Sequence, residues 1–304
     1  MQAETWLPRS TLGKAVLIGC IGFFLTFIWW PIVQTFWLSF QFKRPGEQYW
    51  VGIENYRTIL FADPVFWKSL QVTFAYVLYT VPGVVIFGLL LAVTLNAIRN
   101  VTVRGFFTSL YFIPYVVPLV AVALVWRYMY LPGPQGLFNV LLGYVGIAPI
   151  RWLSTSDWAL PSLAILRIWK ISGYAMVLFL AGLQSIPAIY YEAASIDGAS
   201  RWRQFWSVTL PLLMPTTAFV VVITTIGAML EFTTVYTMTV QQGVAGGDRG
   251  GPNFATHVMS YHIFKTAITN QYEGLGSAYA AVFFVIMVVI GYVQYRFLRV
   301  RYEY

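Results

Sequence analysis

Three ionisable residues, Arg167, Lys170 and Glu231, stand inside otherwise apolar stretches of this 304-residue chain. A charge in such a place costs about 2.5–3.5 kcal/mol on insertion scales, so it is kept where it faces a partner charge or a water-filled cavity. Arg167 and Lys170 are three apart and share one helix face, while Glu231 stands about midway along a later apolar run. Two chemistries fit. With the aromatic faces of Trp169, Tyr174 and Tyr236, the charges would line a polar path suited to sugar rings and hydroxyls. Alternatively, Arg167 or Lys170 pairs with Glu231 between helices, and Lys170 snorkels. Catalysis finds no support elsewhere. There is no GxxxxGK[ST] phosphate loop, because the only Gly-Lys pair, Gly13-Lys14, is followed by Ala15; the chain is not expected to bind or hydrolyse ATP itself. His257 and His262 are five apart, which would put them on different faces of a helix, and no cysteine joins them. Neither a metal site nor a cofactor is expected.

The elements that must position these residues are membrane helices. The chain is 59% hydrophobic and only 10% charged, against roughly a quarter charged for a soluble domain. Six segments approach or exceed the ~20 apolar residues a spanning helix needs: Ala15–Phe40, Ser69–Ile98, Gly105–Trp126, Ala159–Ile186, Thr216–Val240 and Leu275–Phe297. The fold class is therefore all-α, a polytopic membrane protein with about six transmembrane helices. Prolines 31, 82, 114 and 118 fall inside these segments and predict kinks. Gly83, Gly88 and Ala92 would let helices approach closely. The expected organisation is a tail, first span and first external loop over 1–68, a transmembrane domain over 69–297, and a tail over 298–304.

Orientation follows from the basic residues of the short loops. Arg9 and Lys14, then Arg99 and Arg104, Arg201 and Arg203, and finally Arg296, Arg299 and Arg301 place both termini in the cytoplasm. The opposite loops also hold Lys43, Arg44 and Arg151, there largely offset by carboxylates. The net charge of +8 is read as topology and contact with membrane lipids, not as nucleic-acid binding. The first apolar run is too long for a signal-peptide core and lacks a small-residue cleavage site, so it is expected to remain as a span. Cys20 is the only cysteine, so no intrachain disulfide forms.

Between the fourth and fifth segments lies a polar but helix-forming stretch, Ile186 to Pro215. It reads Glu192-Ala193-Ala194, three residues, Gly198, nine residues, then Val208, with Leu210-Pro211 closing it. Trp202, Phe205 and Trp206 make a second amphipathic turn. This spacing resembles the EAA loop of bacterial ABC importer permeases, with Val208 where that family has Ile. Gly182–Pro187 and Asp197-Gly198-Ala199 resemble the sugar-importer branch, related to the maltose permeases. Val51–Leu60 resembles the short amphipathic element after the family's first span, and it too reads as an interfacial helix beside Trp50, Tyr56 and Trp67.

The resemblance implies a type I importer fold at the bacterial inner membrane and a non-catalytic subunit. It also implies a second homologous permease, two copies of a cytoplasmic ATPase and an extracytoplasmic solute-binding protein facing loops such as Pro132-Gly133-Pro134 and Gly246–Pro252. The loop at 187–210 would dock into the ATPase through Glu192, Ala193, Ala194, Asp197, Gly198, Ala199, Trp202 and Arg203. In that reading Ala193 and Ala194 allow close approach, Glu192 makes a charged contact or caps the docked helix, Gly198 forms the turn, and Trp202 with Phe205 anchors the loop beneath the bundle. The solute would be a sugar or sugar-like polyol, with the path residues named above. This chain has Phe232-Thr233 where family members often have Phe-Asp. Two rivals remain at this point: the same architecture carrying glycerol 3-phosphate on Arg167 and Lys170, and a secondary transporter using the charges as an ion relay. A membrane enzyme is disfavoured.

Overall fold

The computed structural model describes residues 11–239 and 250–298. Arg9, Arg299 and Arg301 lie outside the described residues, as do most of the Gly246–Pro252 loop and residues 299–304. The helices in chain order are α1 (Thr11–Phe24), α2 (Trp30–Leu38), α3 (Glu54–Arg57), α4 (Pro64–Asn96), α5 (Val101–Val116), α6 (Leu119–Met129), α7 (Leu137–Tyr144) and α8 (Ser156–Gln184). They continue as α9 (Ala188–Ile196), α10 (Arg201–Gln204), α11 (Leu210–Leu212), α12 (Met214–Met229), α13 (Thr233–Met238), α14 (Met259–Phe264) and α15 (Glu273–Leu298). Among the described residues one antiparallel hairpin, β1 (Gln41–Arg44) with β2 (Glu47–Trp50), interrupts the helices.

Among the described residues, four helical runs are long and apolar enough to cross a membrane: Gly13–Leu38, α4, α8 and α15. Two bent pairs, α5 with α6 and Arg201–Leu212 with α12, bring the number to as many as six. The expected all-α architecture is therefore found, with four to six candidate spans where about six were expected, and with two corrections.

The segment expected as one span over Gly105–Trp126 is two helices meeting at 92°. Pro118 has no N–H to continue the ladder, and it holds Val117 extended (φ −63°, ψ 136°). The segment expected over Thr216–Val240 also breaks, because α12 ends at Met229 and α13 starts afresh at Thr233. Glu231 thus sits in a helix break, not midway along a helix. Its N–H closes a tight last turn on Ala228 O (3.2 Å), and its carboxylate then accepts from Thr234 N (3.0 Å), starting the next helix.

The chain divides into two compact units. One holds the residues up to Asp63 with Ile263–Val285. In it, Pro45-Gly46 turns the hairpin with Gly46 at φ +83°, a conformation that glycine adopts without strain. Asn55 donates to Ser39 O (2.8 Å) and Gln41 O (2.9 Å), which fastens α3 to the base of the hairpin. Helical geometry over Glu54–Ala62 occupies most of the stretch expected to be amphipathic. Lys43 pairs with Glu273 at 2.5 Å, and the Tyr279 hydroxyl donates to the Asp63 carboxylate.

The other unit holds Pro64–His262 and the chain from Ile286. Its axis is α4 against α8. A Cβ on Gly88 would meet Ala175 Cβ at 2.7 Å, and Ala92 is fully buried, so the small residues set the helix separation. Two apolar clusters fill the unit, one around Tyr76, Trp126, Leu163 and Leu166, the other around Val84, Met176, Phe179 and Leu213. The buried Asn139 organises the loop after α7: it donates to Leu131 O and Ile150 O and accepts from Ile150 N and Trp152 Nε1.

His257 and His262 are not on opposed helix faces. His257 precedes α14, and its Nε2 lies 3.2 Å from His262 Nδ1 in a buried pair. The spacing rule failed because it applies only within one helix.

Candidate functional site

The polar stretch after α8 folds into two short helices. Pro187 stands extended at the N-cap of α9, and an Ala-containing sequence carries the helix to Ile196. Gly198 (φ +75°) ends it. Gly198 N donates to Ser195 O (3.1 Å) and Ala199 N to Ala194 O (2.9 Å), which is the paired C-terminal closure that a left-handed residue permits. Ser200 then caps α10 by accepting from Arg203 N (3.4 Å). Gln204 Nε2 reaches back to Ser195 Oγ (2.9 Å) and Ala199 O (3.1 Å), and the Tyr191 hydroxyl meets Thr209 Oγ1 at 3.0 Å. The result is one cross-tied element with a defined turn.

Its surface is open. Glu192, Ala193, Asp197 and Gly198 are exposed, Ala194 and Ala199 are half-buried, and Ile196 is 87% exposed. Arg203 is exposed. The anchoring role expected of Trp202 needs correction, since Trp202 is 71% exposed and stacks only on its neighbours Phe205 and Trp206. Phe205 does turn inward, toward a 220 Å³ cavity it shares with Val93, Leu183 and Tyr191. Leu213, fully buried against Gly182, completes the attachment.

The intramembrane charges separate into two sites. Arg167 Nη1 donates to Glu231 Oε2 at 2.5 Å, with side chains 12% and 2% exposed. A Cβ on Gly227 would lie 2.7 Å from Arg167 Nη2, so the glycine makes room for the guanidinium. The hydroxyl of the buried Tyr76 lies near the same pair and Thr234. Of the two sequence alternatives, the interhelical ion pair is the one formed, and its cation is Arg167.

Lys170 does not take part and does not snorkel. It is 7% exposed, and its ammonium donates to Pro114 O (2.8 Å), Tyr115 O (3.1 Å) and Val117 O (2.6 Å) at the end of α5. All three N–H groups are used within the chain, so the placement of Lys170 on a solute path is corrected. Tyr174 stacks on Tyr115 beside it, with centroids 4.7 Å apart. Trp169 packs on Trp126 at 5.3 Å and lies on the wall of a 440 Å³ apolar groove with Tyr111, Pro114 and Ile168. Tyr236 stacks on Phe232 at 5.1 Å. The six expected path residues therefore do not form one continuous polar lining.

Sequence reasoning missed Tyr76, Thr234 and the three carbonyls at the α5 end. Only the last had a visible signal, the proline at 118, which has no N–H to offer Pro114 O.

A helical bundle of membrane spans, two of them bent, that presents a braced pair of short helices between α8 and α12 has the build of a transport permease. The chain belongs to the family described as binding-protein-dependent transport system inner membrane component, which it matches over residues 58–302. It is 36% identical to the probable ABC transporter permease protein YesP of Bacillus subtilis (strain 168), over 93% of this chain and 89% of that one. It is 35% identical to the trehalose/maltose transport system permease protein MalF of Thermococcus litoralis, over 92% of this chain and 90% of that one. A crystal structure of a bacterial ABC transporter involved in the import of the acidic polysaccharide alginate superposes with a TM-score of 0.78 at 24% identity, covering 96% of each chain. The fold is that of a type I ABC importer permease.

Proposed function

We propose that this chain is one of two permease subunits of an ATP-driven, binding-protein-dependent importer of a sugar or sugar-like polyol. The observation that carries the reading is the Ala188–Leu212 element, braced internally by Gln204 and Tyr191 while its Glu-Ala-Ala surface is left open. A helix pair of this kind fits a groove on a partner, and the partner is a cytoplasmic ATPase present in two copies. Both termini then lie in the cytoplasm, and a solute-binding protein delivers the solute at the opposite face. A second permease meets the Gly13–Leu38 run, whose most apolar stretch is not buried at all within this chain. The sugar class is supported by the relative named for trehalose and maltose transport.

The test is purification of the chain with its membrane and cytoplasmic partners in lipid, followed by ATPase assays with the binding protein and a panel of disaccharides, oligosaccharides and glycerol 3-phosphate. Copurification with an ATPase and stimulation by a sugar-loaded binding protein are expected. Transport by this chain alone down an ion gradient would defeat the reading.

A further inference from the structure

Two cations one turn apart on α8 each end on a different helix break. At the first, Pro118 has no N–H, so Pro114 O loses the donor that a continuous helix would supply, and the bend strands Tyr115 O as well. Lys170 replaces those donors with its ammonium, which also places positive charge at the negative end of the α5 dipole. No water is at hand in hydrocarbon to do the same. At the second break, Arg167 holds one oxygen of Glu231 while the other oxygen accepts from Thr234 N and starts α13. Glu231 is thus a link from α8 to the first turn of α13.

α8 is also the helix that enters the exposed element. Only residues 185–187 separate α8 from α9, and two of them are tied back: Ser185 N bonds Ala181 O and Ile186 N bonds Leu183 O. A Cβ on Gly182 would meet Thr216 Oγ1 at 2.7 Å, so the end of α8 also lies hard against α12. There is no slack between α9 and the helix that carries both cations.

We infer that Lys170 and Arg167 make α8 a clamp that carries the α5–α6 break and the α12–α13 break along with α9, so that both are positioning residues for transport and not contacts for the solute. The inference rests on the reading of α9 as the ATPase-facing element. Under it, movement imposed on α9 changes the angle of two broken spans together. A neutral side chain at either position leaves the break free to adopt many angles.

The experiment uses the assembled importer in nanodiscs, in a Cys20→Ser background with spin labels at Phe106→Cys on α5 and Tyr128→Cys on α6, both exposed positions. Lys170→Met is expected to broaden the interlabel distance distribution and Lys170→Arg to narrow it again. In unlabelled complexes, Lys170→Met and the double variant Arg167→Met with Glu231→Met, which leaves no isolated charge, are expected to reduce stimulation of ATPase by loaded binding protein about tenfold, with basal ATPase retained and the solute KM unchanged. Exchange of the pair, Arg167→Glu with Glu231→Arg, should recover part of the stimulation. An unchanged distance distribution in Lys170→Met overturns the clamp. So does wild-type stimulation in spite of a broadened distribution, or a defect confined to KM. Should Lys170→Met not assemble, Glu231→Gln is measured in its place, and normal stimulation there is equally fatal. Failure of the unsubstituted chain to copurify with any ATPase would strike the reading of α9 and leave the distance measurement standing.

Discussion

The exposed helix pair and the two buried breaks solve opposite problems with the same chain. In the α9–α11 element most hydrogen bonds run between residues close in sequence: Gly198 to Ser195, Ala199 to Ala194, Gln204 to Ser195. Its surface is left free, and water can replace any bond that opens. At the breaks the bonds reach across the fold, Lys170 to residues more than 50 positions earlier and Arg167 to one 64 positions later. Nothing there can be replaced, because hydrocarbon offers no donor or acceptor. The comparison teaches that the exposed element is closed mainly by its own local hydrogen bonds, while the buried charges tie parts of the bundle that are far apart in sequence.

The hardest test of that contrast is to remove one member of the buried pair. Glu231→Ala leaves the Arg167 guanidinium without its partner, at a cost of about 3–5 kcal/mol for a buried charge. The expected result is a large fall in the thermal midpoint of the purified complex, or loss of assembly. Arg167→Met together with Glu231→Met should cost clearly less than Glu231→Ala alone, since no isolated charge remains. A double variant no better than the single one would mean that the pair does more than neutralise itself.

The same contrast explains what was legible in the sequence. Apolar length revealed the spans, and the spacing of Glu192, Ala194, Gly198 and Leu210 revealed the exposed element, because both are local patterns. The bend at Pro118 was visible as a proline but not as 92°, because the carbonyls at the bend are met by Lys170 from another helix, a contact that local sequence does not display. Glu231 was recognised as unusual, yet its partner was ambiguous between two cations one turn apart. The sequence has no means of showing that Lys170 is already committed to three carbonyls. The hairpin was missed despite the turn pair Pro45-Gly46, because the flanking Gln41–Arg44 and Glu47–Trp50 do not alternate apolar with polar residues and so carry no strand signal. His257 was misplaced for a related reason: a helical spacing was applied across a helix start.

In the exposed element, backbone strain should matter more than lost contacts. Nothing lies within 4 Å of a Cβ added to Gly198, so space is no obstacle to a side chain there. The obstacle is φ +75°, which costs a β-branched residue about 1–2 kcal/mol or forces the turn to reopen. Gly198→Val is expected to insert and keep the bundle's thermal midpoint within a few degrees of the parent. It should nonetheless lose most binding-protein-dependent transport, because α9 and α10 no longer hold their relative angle. Gly198→Asp should do the same to a smaller degree, since Asp tolerates the left-handed region better. Normal transport in both would show that this turn is not what the partner reads.

The smallest effect separates bracing from recognition within the element itself. Tyr191 is half-buried, and its hydroxyl meets Thr209 Oγ1 while its ring lines the small cavity under α10. Tyr191→Phe keeps the ring and removes only the hydroxyl, a loss of about 1 kcal/mol. That loss corresponds to about fivefold faster amide exchange across residues 205–212 if the bond holds the segment closed. The α9 amides should be unaffected, because their closure runs through Ala194 and Ser195. Transport should fall by less than in Gly198→Val, since the turn angle is intact. Were exchange to accelerate in α9 but not in 205–212, the brace would run the other way, with α10 and its π-helical continuation as the rigid part and α9 as the part held in place.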